Sequence, residues 1–115
     1  MSLKTDVYAA LSAILPNTWN VELPQDPTWP AFVYTTHADE ESGWVMGGGY
    51  DLHTVTIAIL GRDTDENGVL RDRIVDAFEQ MDDFLLVESE GDSNYEGDAA
   101  VYAYLVMIQL RTRRP

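Results

Sequence analysis

Asp51-Leu52-His53-Thr54-Val55-Thr56-Ile57-Ala58-Ile59-Leu60-Gly61-Arg62, running on into Asp63-Thr64-Asp65-Glu66-Asn67-Gly68-Val69-Leu70, holds the change of period around which the chain is organised. In the first part the side chains alternate as on a strand, with Val55, Ile57 and Ile59 on one face and Thr54, Thr56, Ala58 and Leu60 on the other. Both faces are apolar or small, which places this strand in the middle of a sheet. Beyond Gly61-Arg62, Leu70, Ile74, Ala77, Phe78 and Met81 recur at helical spacing, with Arg71, Arg73, Asp76 and Glu79 largely outward. A helix over roughly Thr64 to Met81 follows.

Upstream, Val7, Leu11, Ile14 and Leu15 form one apolar stripe with Tyr8 beside it. Thr5 or Asp6 is a suitable cap for this first helix, because its side-chain oxygen can accept from free N–H groups of the first turn. Pro16-Asn17 ends it. Trp19, Val21 and Leu23 then alternate like a short strand, and Pro24, Pro27 and Pro30 turn the next stretch into an extended crossing, since proline lacks the ladder donor. Ala31 to His37 reads as a strand and 39–50 as a flexible loop carrying three acids, Gly43 and Gly47-Gly48-Gly49. Downstream, Phe84 to Glu90 is a strand and Gly91 to Asp98 a turn. Ala99 to Arg111 is a long returning strand with Tyr102, Tyr104, Val106, Ile108 and Leu110 on one face. The expectation is a single α+β domain over 1–115, in the order α-β-β-β-α-β-β, with two helices packed on one face of a mainly antiparallel sheet.

The 115 residues are 45% hydrophobic, enough to bury a core, and no apolar run approaches the length of a membrane span. The first residues, Met1 to Asp6, lack a secretory pattern, so a cytoplasmic product is expected. With no cysteine there are no disulfides, thiolate nucleophiles or thiolate zinc ligands. Twenty acids against seven bases give a formal charge of −13, which repels phosphate backbones and argues against nucleic-acid binding. Solubility is the simplest account of that charge. Its distribution is uneven, however. Acids cluster at Asp39-Glu40-Glu41, Asp63 to Glu66, Asp82-Asp83 and Glu88 to Asp98, while Arg111, Arg113 and Arg114 gather at the other extreme. Such asymmetry suits head-to-tail contact between copies.

Catalytic signatures are weak. Asp63-Thr64-Asp65-Glu66-Asn67-Gly68 matches the first half of a calcium loop, but Ile74 stands where a bidentate Glu is needed and a strand precedes it, not a helix. An acidic helix start is the simpler account. His37 and His53 would need their strands to pair before a metal site with Asp39 or Asp51 was conceivable; ordinary strand-surface histidines are the plainer reading. Gly47-Gly48-Gly49 has no Walker-type lysine after it. No catalytic, cofactor or metal residue is assigned. Trp44, Val45 and Met46 have two readings: they fold back onto the domain, or they form an arm that orders against a neighbouring subunit.

Asp6-Val7-Tyr8-Ala9-Ala10-Leu11, Leu15-Pro16, Pro30-Ala31-Phe32-Val33-Tyr34 and the strand Thr54-Val55-Thr56-Ile57 before a second helix resemble the tail-completion proteins of long-tailed bacteriophages and prophages. These are the tail terminators of the phage lambda minor tail protein U type. The resemblance implies an α+β subunit that assembles into a ring, usually hexameric, at the head-proximal end of the tail tube, stops tube polymerisation and joins tail to head. It implies a non-enzymatic protein found in the host cytoplasm during assembly and then in the virion tail or neck. Its partners would be itself, the tail-tube protein and a head–tail connector, with no sequence-specific nucleic acid and no membrane. Contact elements would then be Trp44, Val45, Met46, Arg111, Arg113 and Arg114, and the acids Asp82, Asp83, Glu88 and Glu90 would line the lumen and repel passing DNA. The chain departs from the family in its acidity and its Gly47–Gly49 loop. The competing readings are a monomeric adaptor using the same loop on a foreign partner, and a small metal-dependent hydrolase.

Overall fold

The computed structural model describes residues 3–41 and 50–113. Its elements are α1 (Leu3–Ile14), β1 (Thr18–Asn20), β2 (Ala31–Glu41), β3 (Tyr50–Gly61), α2 (Thr64–Glu79), β4 (Phe84–Asn94) and β5 (Tyr102–Arg113). The order is the expected α-β-β-β-α-β-β. The strands form one sheet, β1-β2-β3-β5-β4, with β3 in the centre as its two-sided apolar pattern requires. β1 is parallel to β2, and the remaining neighbours are antiparallel.

Register sorts the side chains into rows. On the helix-covered face, Thr36, Val55, Ile108 and Val87 lie side by side, as do Tyr34, Ile57, Val106 and Glu90. Val7 and Leu11 of α1 and Leu70, Ile74, Val75 and Phe78 of α2 pack on this face with Phe32, Ile59 and Leu110 to form the main core. Phe32 and Phe78 are completely buried, each contributing roughly 1.5–3 kcal/mol by leaving water. Among the described residues, the opposite face is covered at one end only. There Leu60, Val101 and Ala103 are buried beneath Leu23, Trp29 and Tyr95, the last two rings meeting edge to face at 5.3 Å. The Pro-rich crossing is what brings Trp29 to this position. Asn17 pins it, donating from Nδ2 to the carbonyls of Thr28 (2.7 Å) and Pro30 (2.9 Å) while Oδ1 accepts from Trp19 Nε1 (2.6 Å).

Several boundaries differ from expectation for local reasons. α1 already includes Leu3, so Thr5 and Asp6 lie within its first turns and do not cap it. β1 stops at Asn20: Val21 sits at φ 71° and the Glu22 N–H donates to the Asn20 carbonyl at 2.8 Å, a tight γ-turn that ends the alternation before Leu23. The β2–β3 ladder reaches Glu41 opposite Tyr50, so the ends of the stretch read as loop are paired strand. α2 ends at Glu79 with Gln80 as its cap, leaving Met81 outside the helix. β4 runs on through Gly91 to Asn94 because each of those residues is paired to β5, up to Asn94 opposite Tyr102. Among the described residues no helix is long and apolar enough to cross a membrane.

Candidate functional site

β4 changes character along its length. Phe84 and Val87, at its start, pack against the core; Glu90, Asp92 and Asn94 follow on the same face, opposite Val106, Tyr104 and Tyr102. A helix gains little by covering carboxylates, so the face beneath the N-terminal half of α2 stays open. The result is a cleft of about 890 Å³ between α2 and the β4–β5 end, lined on the helix side by residues including Asp65, Asn67, Val69 and Arg71.

The start of α2 is fixed by Asp63, whose Oδ1 accepts from the N–H groups of Asp65 (2.9 Å) and Glu66 (3.4 Å). This is the capping role expected of the acidic run, and it gives the D-x-D-x-N-G stretch a structural purpose. Asn67 then turns inward. It is 4% exposed, donates from Nδ2 to the Tyr102 carbonyl at 3.3 Å, and holds a buried Oδ1 without a hydrogen-bond partner. A Cβ on residue 61 would collide with that oxygen, so Gly61 is required for the close approach of helix and sheet.

One charged cluster spans the cleft. Arg71 grips Glu90 with two hydrogen bonds, Nε to Oε1 at 2.7 Å and Nη2 to Oε2 at 2.5 Å, and reaches Asp72 through Nη1 at 3.1 Å. The Tyr104 hydroxyl donates to Glu90 Oε1 at 2.6 Å. The Arg71 and Tyr104 hydrogen bonds hold the Glu90 carboxyl down to about 2. Glu90 in turn raises Arg71 and Tyr104 above their ordinary values. Each group is therefore locked in one charge state at neutral pH, an arrangement suited to binding and poorly suited to proton transfer, which needs a group that titrates near the working pH.

The sequence-derived sites are distributed elsewhere. Trp44, Val45, Met46 and Arg114 lie outside the described residues. Arg111 and Arg113 sit on the terminal stretch of β5, in register through Leu52 and Tyr50 with Asp39 and Glu41 of β2, so bases and acids share one end of the sheet. Asp82 and Asp83 are exposed in the α2–β4 turn, where the Asp83 carbonyl accepts from the Arg111 N–H at 2.9 Å. Glu88 is exposed, whereas Glu90 is clasped in the cleft. β2 and β3 do pair, but Ala38 stands opposite His53, so His37 and His53 point to opposite faces. His53 Nε2 instead shares a 2.8 Å hydrogen bond with Thr112 Oγ1. Among the described residues no three His, Asp or Glu side chains gather as metal ligands would. The sequence offered little sign of the cleft: Arg71 reads as an outward charge, and Tyr102 and Tyr104 read as members of an apolar face.

No family model matches the chain. No curated protein matches it either. Among solved structures it is similar in fold to a chain of a particle described as the virion of a native gene transfer agent. The TM-score is 0.66 at 15% sequence identity, and the match covers 98% of this chain and 96% of that one.

Proposed function

We propose that this chain is a non-enzymatic structural subunit of a phage-type virion, a tail-completion protein. In this reading copies form a ring at the head-proximal end of the tail tube, end tube polymerisation and supply the surface that joins tail to head. The observation that carries it is the end-to-end fold likeness to a virion chain of a phage-like particle, with almost nothing left over on either side. The element order and the short motifs from Asp6 to Ile57 support the finer assignment to a terminator. A role by contact also agrees with the Arg71–Glu90–Tyr104 cluster in the cleft, whose groups hold one another in a single charge state at neutral pH. The partners are other copies, the tail-tube protein and a head–tail connector, met in the host cytoplasm and then in the virion neck.

A closed ring requires two different patches on each subunit. Trp44–Met46 and the Arg111–Arg114 end are the proposed contact elements. Asp82, Asp83 and Glu88 are the proposed lumen acids; Glu90 contributes less field there, because Arg71 already answers its charge. Light scattering across concentration and salt, with and without purified tail tubes, tests the assignment. A ring-sized species, alone or on tube addition, is the expected result. A strict monomer indifferent to tubes would overturn it and favour an adaptor.

A further inference from the structure

Four carboxylates and one guanidinium line the cleft: Asp65, Asp72, Glu90 and Asp92 against Arg71. Arg71 is spent on Glu90 and Asp72, which leaves the charges of Asp65, on the helix, and Asp92, on the strand, without a cation to match them among the lining residues. In the same lining Tyr102 is 54% exposed and Val69 59%, a high exposure for large side chains in a concave site. An acidic pocket with an accessible aromatic ring is complementary to arginine, whose planar guanidinium stacks on the ring while donating to carboxylates at the rim.

The chain carries such a group at its far extreme. β5 begins at Tyr102, in the cleft, and reaches Arg113 on the order of 35 Å away at a strand's rise per residue, within a molecule 53 Å long. At that distance Arg113 cannot enter the cleft of its own subunit. We propose that the cleft receives the arginines that close β5 and follow it in sequence, Arg113 and Arg114, from a second copy, a contact that presupposes the ring assembly proposed above. Because the cleft and Arg113 occupy opposite ends of one strand, each subunit can offer one half to a neighbour and accept the other half from the next. A closed ring requires contacts that repeat in this head-to-tail way.

The test uses assembly of the full chain on tail tubes. Asp65→Asn with Asp92→Asn should raise the concentration for half-assembly about tenfold or more, as should Arg113→Glu with Arg114→Glu, and both losses should shrink in high salt. Since the chain has no cysteine, single thiols report unambiguously. An Asn94→Cys protein mixed with an Arg114→Cys protein should give a disulfide-linked dimer on oxidation, and neither should do so alone. A wild type that never assembles overturns both this contact and the ring. A wild type that assembles, with no cross-link and no response to the cleft substitutions, overturns the cleft alone. Dependence on Asp65 and Asp92 without dependence on Arg113 and Arg114 would also overturn it, since the occupant would then be a basic segment of a different protein.

Discussion

Two rows of the same sheet face, built by the same four strands, end differently. Thr36, Val55, Ile108 and Val87 lie in the row that the helices cover; Phe32, Ile59, Tyr104 and Asp92 run out into the open cleft. β4 is hydrogen-bonded to β5 along both, on either side of a register shift between Val87 and Ser89. The difference is greatest in β4, whose inward residues pass from Phe84 and Val87 to Glu90, Asp92 and Asn94, while β5 passes from Ile108 to Tyr104 and Tyr102. A helix follows apolar surface and leaves polar surface to water, so a change of side chain within one strand produces a core at one end and a binding surface at the other.

The comparison breaks most readily at its covered end. Phe78→Ala should cost about 3–5 kcal/mol, read as a lower denaturant midpoint with an unchanged slope, because a fully buried ring leaves a cavity. Gly61→Ala attacks the point where the covered region gives way to the cleft. The added methyl meets Asn67 Oδ1, and a loss of roughly 1–3 kcal/mol is expected, partly recovered by Asn67→Ala in the same chain. Asp63→Ala removes the cap that aims α2 over the cleft, at about 1 kcal/mol in thermal or chemical unfolding.

The uncovered end should prove softer. Glu90→Gln is expected to cost at most about 1 kcal/mol at neutral pH, because solvent reaches the pair. Its signature is the pH dependence. The glutamate is held at about 2 against an ordinary 4.5, so its contribution is complete above 4.5, declines as pH falls between these values and is gone below about 2. The difference between wild type and variant should close over that interval. A gap that stayed constant down to pH 2 would show that packing, and not the ion pair, sets it.

How much of this could be read in the sequence follows from the same contrast. The covered region repeats a period, and Val55-Ile57-Ile59 and Leu70-Ile74-Phe78 announce it. Val75 was missed because it flanks the stripe. β4 hides its period: register shifts between Phe84 and Leu86 and between Val87 and Ser89 space its inward residues by three before they settle to two. Gly91-Asp92-Ser93-Asn94 then has the composition of a turn, and only its pairing with β5 makes it strand. The cleft depends on that pairing and on an ion pair between residues 19 positions apart, which no local pattern encodes.

The two rims of the sheet have a colloidal consequence. β1 offers three residues before Val21 turns the chain aside, and the first half of β4 is bulged while its second half carries Glu90 and Asp92. Neither rim is a long, flat, uncharged template on which a stray chain could stack. A chain with such rims is thereby steered away from growing fibrils strand by strand.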